Sequence, residues 1–375
     1  MPVEAPRARV ALLLPLTGSQ APLGRSMLNA ATLALFEQSG PAVEFLPRDT
    51  GGSPAGAAEA ARSAIAEGAR VIVGPLTSAE TGSVAAVARA SNVPVLAFTN
   101  DANLAGRGAW VLGITPAQQV RRLVQSAQGQ GVRRIALAAP SGPFATQLAA
   151  ALRTAAQDAG LPPPLVVTYP QGAAMSMAAR ELASRVLPPG AAPATPDAAV
   201  PGSAAPGAGL PPEGGPEPVG LLILGESGAR ARQFAAALPE AGLAVPPLRL
   251  AGHALWAQEA VSLAQEPALA GAWFPAPDSY AHAQFEDRYQ QAFGDRPPRL
   301  AATAYDAATV AVRAARNGPE APLALPLDEI VLGGDGALRL LPDGQTQRAL
   351  AVFALEPGAE PRVVEPATLP GAAGS

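Results

Sequence analysis

The feature that most constrains this chain is a strict alternation of short apolar runs with longer stretches of helical spacing. Val10–Leu14 is a β-run ending at Pro15, and Leu23–Gln38 follows with Leu28, Ala31, Leu35 and Phe36 on one side. Strands at Val43–Leu46, Arg70–Val73, Val93–Phe98 and Trp110–Gly113 alternate with helices at Ala55–Glu67 and Ala79–Ala90. A second set repeats the pattern. Helices at Pro116–Gln128, Phe144–Ala159, Ala173–Leu187 and Arg230–Ala241 separate strands at Arg133–Ala139, Leu165–Tyr169, Gly220–Leu224 and Leu248–Ala251. Strands joined by helices of this length require parallel sheets and right-handed crossovers. Two such runs, in 375 residues, imply two α/β lobes rather than one core.

Two segments break the rhythm. Pro188–Pro218 holds ten prolines and six glycines in 31 positions. It cannot bury enough surface to offset its ordering entropy, so it reads as a disordered insertion within the second lobe. Loop-closure entropy grows only logarithmically, which makes such an insertion cheap. The stretch "GALRLLPDGQTQRALAVFAL", 336–355, alternates about a Pro-Asp-Gly turn. It predicts a β-hairpin appended to the edge of a parallel sheet.

Composition removes several classes of function. The chain has no Lys, so its 26 basic residues are all Arg, and it has no Cys. P-loop and Schiff-base lysines, thiol catalysis, disulfides and Cys-ligated zinc are excluded. A net charge of −4 without a basic stripe argues against nucleic acid. No run of about 20 apolar residues spans a membrane. The start "MPVEAPRARV" lacks the apolar segment of a signal peptide, which leaves a cytosolic protein or one whose targeting segment has been removed.

The stretch "VIVGPLTSAET", 71–81, ends a buried strand with Thr77 and Ser78 at the mouth of a helix. Such hydroxyls cap helices. They also sit where open α/β sheets bind ligands, outside the carboxyl ends of the strands. The same choice arises at "PLTGSQAPLG", where Thr17, Gly18, Ser19 and Gln20 precede a helix N-terminus that attracts anions. It arises again at "RDTGG" with Asp49 and at "FTNDAN" with Thr99, Asn100 and Asp101. Four strands of the first lobe thus end in small polar loops, at 17–20, 49–53, 77–80 and 99–103. Lobe two offers Ser141, Glu226, Ser227 and His253 at its own strand ends. Two polar rims across a hinge describe a cleft for a small polar solute. Thr77 and Ser78 are expected both to cap their helix and to line that cleft.

No catalytic fingerprint accompanies the rims. "GESG" at 225–228 places Ser227 directly before Gly228, which fails the spacing of a nucleophile elbow. No Gly-x-Gly-x-x-Gly follows the first strand. His253 and His282 are the only imidazoles, and neither has a second ligand at metal spacing. Trp110, Trp256 and Trp273 are either packing residues or cleft-lining ones. The expectation is a protein with no catalytic residues, no metal and no cofactor.

The stretches "RVALLLPLTGSQAPLGRSMLNAATLAL", "VEFLPRDTGGSPAGAAEAARSAIAEGARVIVGPLTSAET", "NVPVLAFTNDANL", "RLAGHALW" and "GAWFPAPDSYAHAQFEDRYQQAFGDRPPRLAATAYDAATVA" resemble the leucine-binding branch of the type I periplasmic solute-binding proteins. The resemblance spans nearly everything but 188–218. Within it, "LLLPLTG…LG", "NAATLALF" and the 336–355 hairpin are more similar to the penicillin-binding-protein activators, outer-membrane lipoproteins that stimulate peptidoglycan synthases. Such proteins are held by a lipidated Cys, which would have to lie upstream of residue 1.

The resemblance implies two Rossmann-like α/β lobes with parallel sheets, joined by a three-strand hinge and ending in a C-terminal β-hairpin. Lobe one is expected at 1–115 plus 278–327 and lobe two at 116–277 plus 328–375, with crossings near Thr115, Pro277 and Asp328. It implies a periplasmic, outer-membrane-anchored protein. Its partners are a solute in the cleft and either a peptidoglycan synthase or, alternatively, the permease of an ABC importer of amino acids or similar solutes. By position, Ser78 and the Thr99–Asp101 loop match the groups that hold an amino-acid ligand in relatives. Glu226 and His253 fall where relatives place an aromatic and an acidic contact. The chain departs from the amino-acid pattern at both, which favours a repurposed scaffold.

Overall fold

Alternate residues of the first strand point into two different cores. In β1 (Ala8–Leu14), Val10, Leu12 and Leu14 join one apolar cluster, while Ala11 and Leu13 join another. A strand buried on both faces is the mark of a parallel sheet covered by helices on each side. The computed structural model describes residues 6–38, 42–187 and 217–371. The Pro/Gly/Ala-rich insertion expected at 188–218 lies outside the described residues apart from Glu217 and Pro218.

After β1 come α1 (Ala21–Gln38), β2 (Val43–Asp49), α2 (Pro54–Ala66), β3 (Ala69–Val73), α3 (Ser78–Ala90), β4 (Val95–Ala97) and β5 (Ala109–Val111). The five strands form one parallel sheet in the order β2-β1-β3-β4-β5. The second strand runs three residues beyond its predicted end, through Pro47. It lies at the sheet edge, where a residue without an N–H is tolerated. The first helix starts two residues early, with Pro22 in its first turn, a position that needs no backbone donor.

A second run holds α4 (Pro116–Gly129), β6 (Ile135–Pro140), α5 (Pro143–Asp158), β7 (Leu165–Tyr169), α6 (Met175–Val186), β8 (Leu221–Leu224), α7 (Gly228–Glu240), β9 (Arg249–Ala251), α8 (Trp256–Leu263) and β10 (Trp273–Pro277). Then follow α9 (Ser279–Phe293), α10 (Leu300–Ala315), β11 (Val331–Gly333), β12 (Gly336–Leu340), β13 (Thr346–Arg348), β14 (Leu350–Ala354) and β15 (Arg362–Thr368). The second sheet has seven strands in the order β15-β14-β10-β9-β8-β6-β7, with β10, β9, β8, β6 and β7 parallel. Its core joins Leu123 and Val124 of α4, Leu148 and Leu152 of α5, and Leu137, Ile223 and Trp273 of the strands.

Two expectations need correction. The 336–355 segment does form an antiparallel hairpin, β12 with β13, but it is not appended to a parallel sheet. It belongs to a separate three-stranded sheet in the order β11-β12-β13, while β14 enters the seven-stranded one. The second correction follows from the first. The described residues divide into one unit drawn from Met1–Thr115, Pro277–Leu350 and Ala367–Ser375, and a second drawn from Pro116–Ala276 and Ala351–Pro366. Residues 328–350 therefore go with the first unit, the third crossing moves from Asp328 to the bond after Leu350, and a fourth follows Pro366, after which the chain returns to the first unit. The reason is packing: Val331, Leu338 and Leu340 are fully buried against Phe285, Tyr289 and α10 in the first unit's core. A buried ion pair reinforces this. The Arg348 guanidinium is bound to the Asp306 carboxylate and donates from Nε to the Leu112 carbonyl at 3.0 Å.

Candidate functional site

In the first unit, β1, β3 and β4 are parallel neighbours, so residues just past their carboxyl ends share one sheet edge. Gly74 turns the chain there. Its φ of +100° and the Leu13 carbonyl 2.3 Å from where a Cβ would stand leave room only for glycine. Thr77 is then the N-cap of α3. Its hydroxyl accepts the Glu80 N–H at 3.3 Å, and Glu80 Oε2 accepts the Thr77 N–H at 2.9 Å and its hydroxyl at 2.8 Å. This capping box uses the polar capacity of Thr77. The N–H groups of Ser78 and Ala79, in the first turn, have no intrahelical acceptor.

Ser78 is exposed and meets the buried Thr99, with 2.7 Å between the hydroxyl oxygens. Thr99 Oγ1 also accepts the Asp101 N–H at 3.1 Å. When Thr99 donates to Ser78, the Ser78 proton is left for an incoming acceptor, and the relay from the Asp101 amide polarises it. Asp101 caps a 3-10 turn over Ala102–Leu104, accepting the Asn103 N–H at 3.1 Å. Asn100 is exposed.

Farther along the edge, Thr17 and Asp49 close on each other. Asp49 Oδ2 accepts the Thr17 hydroxyl at 2.6 Å, and Oδ1 accepts the N–H groups of Leu16 at 2.8 Å and Gly51 at 2.9 Å. Burial pushes the Asp49 carboxyl up, but these bonds outweigh it and hold it below the usual range. Asp49 is thus the fastener of the 15–17 turn. Ser19 and Gln20 are exposed beside it, with Gln20 Oε1 3.5 Å from the Cβ position of Gly52.

In the second unit, β6, β7, β8 and β9 also end at one edge. Glu226, buried at the end of β8, accepts the Tyr169 hydroxyl at 3.0 Å and Arg230 Nε at 3.1 and 3.2 Å. Burial, then the Glu226 charge, pushes the Tyr169 phenol up, and the Glu226 hydrogen bond raises Arg230. Glu226 is therefore neutralised within its own unit. Ser227 Oγ lies 3.1 Å from Nε2 of His253, whose ring packs edge-on against Phe144 at 5.3 Å. Burial pushes the His253 imidazole down to about 4, against a hydrogen bond to the Glu226 backbone. The Glu226 carboxylate is bound to Tyr169 and Arg230, so it does not complete a catalytic triad with the Ser227–His253 pair. Ser141 is exposed at the end of β6.

The structure separates the tryptophans by role. Trp256 is fully buried and donates to the Glu226 carbonyl at 2.9 Å. Its ring stands 2.0 Å from where a Cβ on Gly252 would be, so only glycine fits. Trp273 is buried beneath the Arg249 guanidinium, 4.3 Å from the ring centre. Trp110 is half-buried on edge strand β5. His282 is elsewhere in the first unit, with Nδ1 2.6 Å from Asp335. Among the described residues no group of three or more His, Asp or Glu side chains could hold a metal ion, and no helix is long and apolar enough to cross a membrane.

Sequence reasoning missed Tyr169 and Arg230. Arg230 was legible as the i+4 partner of Glu226 at the start of α7. Tyr169 was legible by the strand-end rule already applied to Glu226.

No curated protein sequence matches the chain. The family model described as periplasmic binding protein matches residues 7–322. Among solved structures, a putative branched-chain amino acid ABC transporter protein from Rhodospirillum rubrum is similar at a TM-score of 0.76 and 20% identity, covering 96% of this chain and 100% of that one. A leucine-, isoleucine-, valine-, threonine- and alanine-binding protein from Brucella ovis reaches 0.67 at 16% identity, over 97% and 94%. A solute-binding protein from R. palustris in complex with benzoate reaches 0.60 at 17%, over 98% and 99%. At these identities the structures share the fold: two lobes with parallel sheets, the type I periplasmic binding protein architecture.

Proposed function

We propose that this chain, which belongs to the periplasmic binding protein family, is the extracytoplasmic solute-binding component of an ABC importer, taking a small carboxylate-bearing solute and catalysing no reaction. The observation that carries the reading is the Ser78–Thr99 hydroxyl pair, 2.7 Å apart at the open N-terminus of α3. A hydroxyl with a proton to give, beside first-turn amides that have no intrahelical acceptor and the positive end of a helix dipole, suits a carboxylate. The R. palustris and Brucella relatives, a benzoate complex and an amino-acid-binding protein, are consistent with that class. Ser19, Gln20, Asn100 and Asp101 are the further candidates on the first unit, and Ser227 and His253 on the second. Thermal-shift screening against amino acids, benzoates and peptidoglycan fragments tests the reading. Stabilisation by a carboxylate, lost in Ser78→Ala, supports it; indifference to every carboxylate refutes it.

One observation favours a second reading, regulation of a peptidoglycan synthase by a lipid-anchored activator. Glu226 is spent on Arg230 and Tyr169, and His253 is buried and neutral. Neither Glu226 nor His253 thus offers a free carboxylate to a ligand ammonium. A scaffold that had given up amino-acid binding would have this character. Stimulation of a purified synthase by the chain, with no response to solutes, would select this reading over import.

A further inference from the structure

The first unit holds a cavity of about 760 Å³ at the amino ends of β4 and β5, away from the carboxyl edge that carries Ser78. Its apolar wall is Val93, Trp110, Leu323 and Leu325, all half-buried rather than buried. Trp110 is held in place because its indole N–H donates to the Leu341 carbonyl at 2.8 Å. Two cations stand on the rim, Arg89 from the last turn of α3 and Arg107 from the turn before β5. Both are exposed, and neither makes an ion pair or a side-chain hydrogen bond among the described residues. Arg89 also complements the C-terminal end of its helix dipole. Arg107 has no such role, and it sits at φ +53° between two glycines that are also left-handed, a backbone state that disfavours a side chain.

We infer that this cavity is a second ligand site, distinct from the strand-end rim, for a small amphipathic carboxylate. The volume is that of a small-molecule site, apolar with a few convergent polar groups. The apolar body lies on the Trp110 face, and the carboxylate is taken by the guanidinium forks of Arg89 and Arg107, whose planar donors match its geometry. A neutral ligand of the same shape leaves both arginines unused, so charge is what selects.

Decanoate serves as the probe, with decanol as its neutral counterpart. Trp256 and Trp273 are buried, so a change in tryptophan emission on titration, absent in Trp110→Phe, reports this cavity. Decanoate is expected to bind and to change that emission. The double variant Arg89→Gln/Arg107→Gln, surface changes that leave the core intact, is expected to weaken it at least tenfold by calorimetry. Decanol is expected to bind no better than decanoate binds the double variant. Ser78→Ala is expected to leave decanoate binding unchanged, which separates this site from the proposed solute rim. The inference is overturned by no decanoate binding at millimolar concentration, by equal binding of decanol, or by binding lost in Ser78→Ala and kept in the arginine variant. It is also overturned by a self-association through this face, seen by sedimentation, that decanoate does not compete with.

Discussion

Ser78 and Thr99, 21 residues apart, bring their hydroxyl oxygens to 2.7 Å across the ends of two parallel strands. Thr99 is 5% exposed and carries the Asp101 amide as well, so the two residues are not equivalent. Thr99→Val is expected to cost about 1 kcal/mol of stability, since it removes the acceptor of the Asp101 N–H and the partner of the Ser78 hydroxyl. Ser78→Ala, which takes the acceptor from the buried Thr99 hydroxyl, is expected to cost about 1 kcal/mol as well. A double-mutant cycle in urea should give a favourable coupling of roughly 0.5–1.5 kcal/mol; no coupling would mean that the pair is an accident of two nearby rotamers.

Thr77 belongs to the same loop but has a different part. Its hydroxyl and amide are used by Glu80, so Thr77→Ala should lower stability by about 1 kcal/mol. Calorimetric affinity for any solute of the rim should stay within twofold of wild type. A loss of affinity larger than that of Ser78→Ala would reverse these assignments.

Asp49 links the rim to pH. Its folded pKa lies below the ordinary 3.8 because Thr17 and three backbone amides bind the carboxylate, outweighing burial. A depressed carboxyl contributes stability above the unfolded pKa and loses it as pH falls through the folded one. Acid titration should therefore loosen the 15–17 turn below about pH 4, read as faster amide exchange at Leu16 and Thr17. Asp49→Asn should show that exchange at neutral pH.

His253 works in a higher window. Its folded pKa is about 4 against 6.5 unperturbed, with burial the main cause. Between those values the unfolded chain binds a proton that the folded protein refuses, so stability is full above pH 6.5 and falls as pH drops towards 4. The loss is on the order of 3 kcal/mol. Urea melts of wild type and His253→Gln should diverge in slope across this window and run parallel above it. An imidazole that titrates near 6.5 by NMR in the native state would contradict the assignment.

Much of this architecture was legible because its elements obey local rules. Thr77 followed by Glu80 marks the start of α3, and Val71–Val73 before Gly74 marks the end of β3. Periodicity failed where burial is complete. In α10, 14 of 16 residues are buried, so no polar face existed to mark a 3.6-residue period. The small sheet was illegible for another reason. Whether 328–350 belongs to one unit or the other depends on Arg348 finding Asp306, 42 residues away, and on Val331 and Leu338 finding Phe285. The strand-end residues Ser78, Thr99, Glu226 and His253 could be nominated from the alternation alone. Their division into free and spent groups could not, because that rests on partners such as Tyr169 that come from other strands.

The proposed solute binding rests on the carboxylate capacity of Ser78 and its neighbouring amides. Its most direct test is calorimetric titration of the wild-type chain and Ser78→Ala with leucine and with benzoate. At least one of these carboxylates should bind the wild type, with affinity reduced tenfold or more in the variant. Binding that is identical in the two proteins, or no binding of either compound at millimolar concentration, would contradict it.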